Sequence, residues 1–201
     1  MKWLVVCVSL VVTGCTLTPD VPVDQTLAQS AWLDRQPSLE QITQWRIDGR
    51  IAILQGEDFY AVSLHWRQKQ ADFDIDLSGP MGSGHFKLKG QQNGRVSLRD
   101  SEQNQYTANN PEALIYQHTG MQIPVSGMFY WVRGLPDPSM PQHDSIIFDA
   151  LGHIQTLTQD GWTVEFSEYA NFAAHQLPEK LVMRNNDVEI KLIVHRWKLK
   201  S

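Results

Sequence analysis

The chain has 201 residues, 42% of them hydrophobic and 19% charged, which suits one sizeable core and not several independent ones. Its formal net charge is −5 and its basic residues form no stripe, so nucleic acid is not expected as a partner. Six of the seven tryptophans lie beyond residue 30, which places the core-building part of the chain there.

The N-terminus, MKWLVVCVSLVVTGC, has a positive residue (Lys2), an apolar run from Trp3 to Val12, and the small pair Thr13-Gly14 before Cys15. This is the pattern of a secretory signal peptide, too short to span a membrane. Its last four residues, Val12-Thr13-Gly14-Cys15, resemble the lipobox of bacterial lipoproteins. That resemblance implies cleavage before Cys15, diacylglycerol on its sulfur and an acyl chain on its amine, with no other cofactor. The alternative is an ordinary signal peptide that happens to end near a cysteine. Cys7 would leave with the signal, so Cys15 has no disulfide partner within the chain, which favours modification. Acyl chains contribute about 0.8 kcal/mol per buried CH₂, and more than one makes a stable anchor. Thr16 stands where lipoproteins kept in the inner membrane often carry Asp, which by the same resemblance implies the outer membrane, with the domain facing the periplasm. The expected division is a signal peptide over 1–14, a lipidated N-terminus and tether over 15–37, and a folded domain over 38–201.

Residues 16–30 hold two prolines, two aspartates and little apolar periodicity, and a short helix is expected within 27–44. From Trp45 the period becomes two. Ile47, Gly49, Ile51 and Ile53 form one face, then Tyr60, Val62, Leu64 and Trp66, then Phe73, Ile75 and Leu77. DLSGPMGSGHF, residues 76–86, reads as a glycine-rich turn with Met81 at its crown. Phe86 and Leu88 resume the alternation, and Val96 and Leu98 follow across QQNG, an Asn-Gly hairpin signal. A strand is expected near Tyr106. Asn110, Pro111 and Gly120 then read as N-cap, first turn and stop of a helix. PVSGMFYWVRGLP predicts a second short helix ending by Gly134, followed by a proline-rich loop. Strands return around 146–149 and 153–158, at Trp162, Val164 and Phe166, at Leu181 and Met183, and at Val188 to Val194. Trp197 and Leu199 fall on the opposite parity, which predicts a bulge near His195. The total is ten or eleven strands, a long antiparallel meander interrupted by helices that would lie on the concave face of a curved sheet.

Catalytic signatures are sparse. The seven histidines form neither H-x-x-x-H nor H-x-H, and the chain has no G-x-S-x-G elbow and no phosphate-binding loop. Asp72, Asp74 and Asp76 open like a calcium loop, but Leu77 and Ser83 occupy the positions that need Gly and Glu. They read better as the solvated face of a strand, from which they could steer a basic partner.

The stretch from Trp45 to Leu199 resembles the LolB family of outer-membrane lipoprotein receptors. WRIDGRIAI (with Trp45, Gly49, Arg50, Ile51 and Ala52), HWRQ (65–68) and GPMGS (79–83) carry the likeness first. TGMQIP (119–124), YWVRGLP (130–136), DGWTVEFSEY (160–169), LPEKL (177–181) and IKLIVHRWKL (190–199) carry it through the rest of the domain. The resemblance implies an incomplete antiparallel β-barrel of about 11 strands, mainly β with helices, and a helical lid over an apolar cavity. It implies a monomer that accepts triacylated lipoproteins from a LolA-type periplasmic carrier and inserts them into the inner leaflet of the outer membrane, with no catalytic residue and no metal. In this family a protruding loop carries a hydrophobic residue, commonly leucine. Pro80, Met81 and Gly82 occupy that loop here, so Met81 is the expected membrane-probing tip, the alternative being an incidental exposed methionine. The inward positions expected to line the cavity are Ile51, Ile53, Val62, Leu64, Trp66, Phe73, Ile75, Leu77, Phe86 and Leu88, with Trp131, Trp162 and Val164. Two other readings compete: a structural or assembly lipoprotein that binds a protein partner through its sheet, and a periplasmic hydrolase.

Overall fold

A computed structural model describes residues 22–80, 84–140 and 143–200. The first helix, α1 (Gln25–Glu40), starts at Asp24, whose carboxylate accepts from the backbone N–H groups of Thr26 (2.9 Å) and Leu27 (3.3 Å). Ala28, Trp32 and Leu39 form its buried face. The helix approaches Gly152 so closely that a Cβ there would come within 2.7 Å of the Trp32 backbone nitrogen, and Gly152 has φ +75°, so glycine is needed twice over. Packed structure therefore reaches back into the segment read as tether, taking in residues 25–37. The fall in apolar periodicity before Trp45 hides this, because the helix presents only a narrow stripe to the sheet.

Eleven antiparallel strands follow: β1 (Gln44–Gln55), β2 (Asp58–Lys69), β3 (Asp72–Ser78), β4 (His85–Gln91), β5 (Val96–Arg99), β6 (Gln105–Ala108), β7 (His143–Phe148), β8 (Ile154–Gln159), β9 (Trp162–Phe172), β10 (His175–Asn185) and β11 (Val188–Leu199). They make one sheet ordered β6-β5-β4-β3-β2-β1-β11-β10-β9-β8-β7. Its two edges, β6 and β7, do not pair with each other, so the barrel is incomplete, as expected. Between those edges run α2 (Pro111–Thr119) and α3 (Val125–Trp131). Asn110 caps α2 through Ala113 N (2.7 Å), Pro111 opens it, and Gly120 closes it at φ 72°.

The expected bulge is present: Asp48 pairs with Arg196 and Gly49 with Val194, which leaves His195 as the extra residue of β11. Gly49 sits opposite, where any Cβ would run into the Ile193 carbonyl oxygen, so the kink depends on glycine there. The parity change then turns Trp197 inward, 5.4 Å from Trp45. QQNG does form the β4–β5 turn, with Asn93 carrying the left-handed φ of 58°. At β8–β9 both Asp160 and Gly161 have positive φ, a type I′ turn suited to strand twist. Tyr60, read as inward, is 37% exposed because it lies beside the β1–β2 turn at the rim.

The outer face of the sheet carries charge in cross-strand ladders. Asp74 meets Arg67 (2.8 Å), Lys89 (3.3 Å) and Lys87 (3.7 Å), and Asp76 meets His85 (3.0 Å) and Lys87 (3.7 Å). These aspartates are compensated by their own neighbours, which removes the free acidic patch read from their spacing. On β1 the hydrogen bond from His65 holds the Asp48 carboxyl below its ordinary range. On β11 hydrogen bonds from Lys191 and Arg184 do the same for Glu189. A carboxylate whose folded pKa is depressed contributes stability above its unfolded value, about 4, and loses it as pH falls through the folded value. The urea midpoint should therefore drop between about pH 5 and pH 3, and Glu189→Gln should flatten part of that slope. A midpoint unchanged over this range contradicts the assignment.

Candidate functional site

The inner face of β1–β5 and the helices α2 and α3 enclose an apolar seam. The sheet supplies Ile51, Leu64, Trp66, Ile75, Leu77, Phe86, Leu88 and Leu98. The helices and the loop between them supply Ile115, Thr119, Met121, Ile123, Val125 and Met128. The free volume is about 30 Å³. The seam is thus narrow, and its two walls are separate stretches of chain, one the sheet and the other a short helical cover.

Seven of the thirteen expected cavity residues border this seam: Ile51, Leu64, Trp66, Ile75, Leu77, Phe86 and Leu88. The other six are placed elsewhere. Ile53 pairs with Ile190 and Tyr60 and is buried in the sheet core. Val62 is partly buried against that core. Phe73 packs on Phe129 at 5.0 Å. Trp131 is fully buried and donates its indole N–H to Gln159 Oε1 (3.1 Å). Val164 is fully buried between Leu157 and Met183. Trp162 lines a different cleft, of about 490 Å³, beside Tyr116 and Ile123. Period two identifies a face of a strand; which part of that face lies under the helices is decided by the curl of the sheet.

Of the protruding loop, Pro80 is exposed, while Met81 and Gly82 lie outside the described residues, as does Cys15. The base of the loop is closed by the Gly79 N–H donating to the Gly84 carbonyl (3.0 Å). One polar contact joins the sheet rim to the cover. The Gln55 side chain donates Nε2–H to the Gly120 carbonyl (2.9 Å) and accepts from the Gln122 N–H (3.0 Å) through Oε1. Neither bond is signalled by local sequence, since Gln55 is simply the polar last residue of β1. Gln55→Ala should preserve the fold yet speed amide hydrogen exchange at Gln122 by about tenfold, the effect of losing one or two exposed hydrogen bonds. Unchanged protection there means that the clasp does not hold the cover.

A wider crevice of about 660 Å³ opens between α1, the start of β1, the end of β2 and the loop after α3. Trp32, Ile42, Trp45, Phe129 and Leu135 give it apolar walls, and Glu40, Arg133 and Asp137 bring charge to its lining. Among the described residues no group of three or more His, Cys, Asp or Glu is placed to hold a metal ion.

An open eleven-stranded antiparallel sheet, curled over an apolar interior and covered by helices, defines a lidded β half-barrel. A DUF1329 family protein from Desulfovibrio piger has the same fold, with a TM-score of 0.51 at 7% identity, covering 89% of this chain and 94% of that one. The family model of outer membrane lipoprotein LolB matches residues 43–197. Outer-membrane lipoprotein LolB of Pseudomonas paraeruginosa is 36% identical over 92% of this chain and 89% of its own length. That of Stutzerimonas stutzeri is 36% identical over 95% and 92%. The chain belongs to the LolB family of outer-membrane lipoproteins.

The cover's inward residues were not legible as lining. Met121, Ile123 and Val125 do alternate, but in a stretch between two helices, where alternation does not by itself name a face. Arg133 falls within YWVRGLP, but its bond to Ile42, 91 residues away, has no local signal, and neither have the bonds of Gln159 to Trp131 and Asp137.

Proposed function

We propose that this protein is a receptor that takes triacylated lipoproteins from a LolA-type periplasmic carrier and releases them, as a lipid-anchored monomer, into the inner leaflet of the outer membrane. The observation that carries the reading is the narrow apolar seam between the sheet and a separate helical cover. At about 30 Å³ it holds no acyl chain as it stands, so occupancy requires the cover to move. A solvent-filled groove would not behave this way; a seam that closes on itself keeps its apolar walls dry between cargoes.

The energetics favour direct handover. An acyl chain of a dozen or more methylenes costs on the order of 10 kcal/mol to expose to water, so release into solvent would be far too slow. Passing the chain from one apolar interior to another removes most of that barrier, and the bilayer is the final sink. Direction then comes from rising affinity along carrier, receptor and membrane, with no nucleotide required. Lipid on Cys15 anchors the domain beside that sink, and Met81, in the loop between Gly79 and Gly84, makes the membrane contact.

The test uses the unlipidated Cys15→Ala chain mixed with a carrier loaded with a labelled triacylated lipoprotein. The label should move to the receptor without detergent or nucleotide. No movement, with folded receptor and competent carrier, rules the receptor reading out.

A further inference from the structure

Arg133 stands in the 660 Å³ crevice under conditions unusual for a cation. It is 92% buried, being 8% exposed, yet no carboxylate lies within ion-pairing distance among the described residues. Its guanidinium donates to two backbone carbonyls, from Nε to Phe129 (3.3 Å) and from Nη1 to Ile42 (3.1 Å), and lies 5.4 Å from the Tyr130 ring centre. Five N–H groups are available on a guanidinium, and these two bonds leave the others without a protein acceptor among the described residues. Burial accordingly pushes its pKa down from the ordinary value. The crevice is therefore served by the spare donors of one guanidinium, and Trp45, Phe129 and Leu135 give it apolar wall beside several glutamines.

The sign of the surrounding charge narrows the ligand. Glu40 and Asp137 share the crevice with Arg133, and Asp137 is itself buried, its Oδ1 accepting from Ser139 N (2.8 Å) and Oγ (2.7 Å). An incoming carboxylate or phosphate would meet two carboxylates for one guanidinium. A neutral carbonyl oxygen takes the donors without that repulsion, and its attached chain can lie on Trp45 and Phe129. We infer that the Arg133 crevice is a subsite for the glyceryl ester carbonyl of the acylated ligand, separate from the apolar seam that takes hydrocarbon. This rests on the reading of the cargo as an acylated lipoprotein.

The experiment compares three short-chain probes below their micelle concentrations on the Cys15→Ala chain, followed by tryptophan fluorescence: 1-decanoylglycerol, its ether analogue 1-O-decylglycerol, and decanoate. The ether lacks only the carbonyl. Decanoylglycerol should bind about tenfold more tightly than the ether, the typical effect of a hydrogen bond from a charged donor, and more tightly than decanoate at pH 7. Arg133→Met, with its fold checked by circular dichroism, should erase the ester preference; if that variant does not fold, the ester–ether comparison on the Arg133 protein still decides. Equal binding of ester and ether, tighter binding of decanoate, or no binding of any probe overturns the inference. Carrier-delivered lipoprotein should displace the decanoylglycerol; displacement by phosphatidylethanolamine vesicles alone would assign the subsite to membrane lipid and overturn its place in cargo binding. Ester preference without cargo transfer would sink the receptor reading and leave the subsite standing. Transfer without ester preference would do the reverse.

Discussion

Replacing Gln159 with leucine should destabilise the domain by about 2–5 kcal/mol, although the two side chains are close in size. Gln159 is 1% exposed and makes three hydrogen bonds. Its Oε1 accepts from Trp131 Nε1 (3.1 Å) and from the Asp137 N–H (2.9 Å), while Nε2 donates to the Asp137 carbonyl (2.9 Å). Leucine would leave two buried donors and one acceptor unpaired, at a cost of about 1–3 kcal/mol each, less what the site recovers by shifting. Recovery is limited because Trp131 lies against Gly127, where even a Cβ would approach the indole to 2.5 Å. The indole cannot swing away without moving α3. Urea unfolding at neutral pH measures the effect directly. A loss below about 1 kcal/mol would mean that these groups find other partners and that Gln159 does not pin the helical cover to the sheet.

Met81→Glu should reduce delivery of lipoprotein to liposomes at least about tenfold while leaving uptake from the carrier unchanged. A charged side chain in the hydrocarbon core costs about 2.5–3.5 kcal/mol on insertion scales, and less near the interface. Met81→Leu, which preserves bulk and apolarity, should deliver normally. The split between the two half-reactions matters more than the overall loss, because a misfolded loop would impair both. Normal delivery by Met81→Glu would remove the loop from the membrane step and leave the methionine as an incidental surface residue.

Much of this architecture is written locally. Alternation of apolar residues placed nearly every strand, because a half-buried sheet exposes one face and side chains alternate across it. The parity change at Trp197 marked the bulge at His195 for the same reason. Asn110, Pro111 and Gly120 bounded α2, since capping chemistry involves only groups within a turn of one another. The lipobox-like VTGC and the ordered motifs from Trp45 to Leu199 marked the family. By contrast, the start of α1 is indistinguishable from tether in the sequence, because a helix that buries three residues of sixteen leaves a weak pattern.

Local pattern thus settles the type and order of the strands, the interruption by two helices and the inward-facing set. The tertiary structure alone decided which inward residues border the apolar seam, separating Ile51, Leu64 and Trp66 from Ile53, Phe73 and Val164. It alone joined Gln55 to a backbone 65 residues away, compensated Asp74 and Asp76 from β2 and β4, and left Arg133 buried without a counter-ion among the described residues. The physical reason is that periodicity records which side of an element faces carbon. The partners met on that side depend on how far the sheet curls and where the helices come to rest, and these are set by contacts summed over the whole chain.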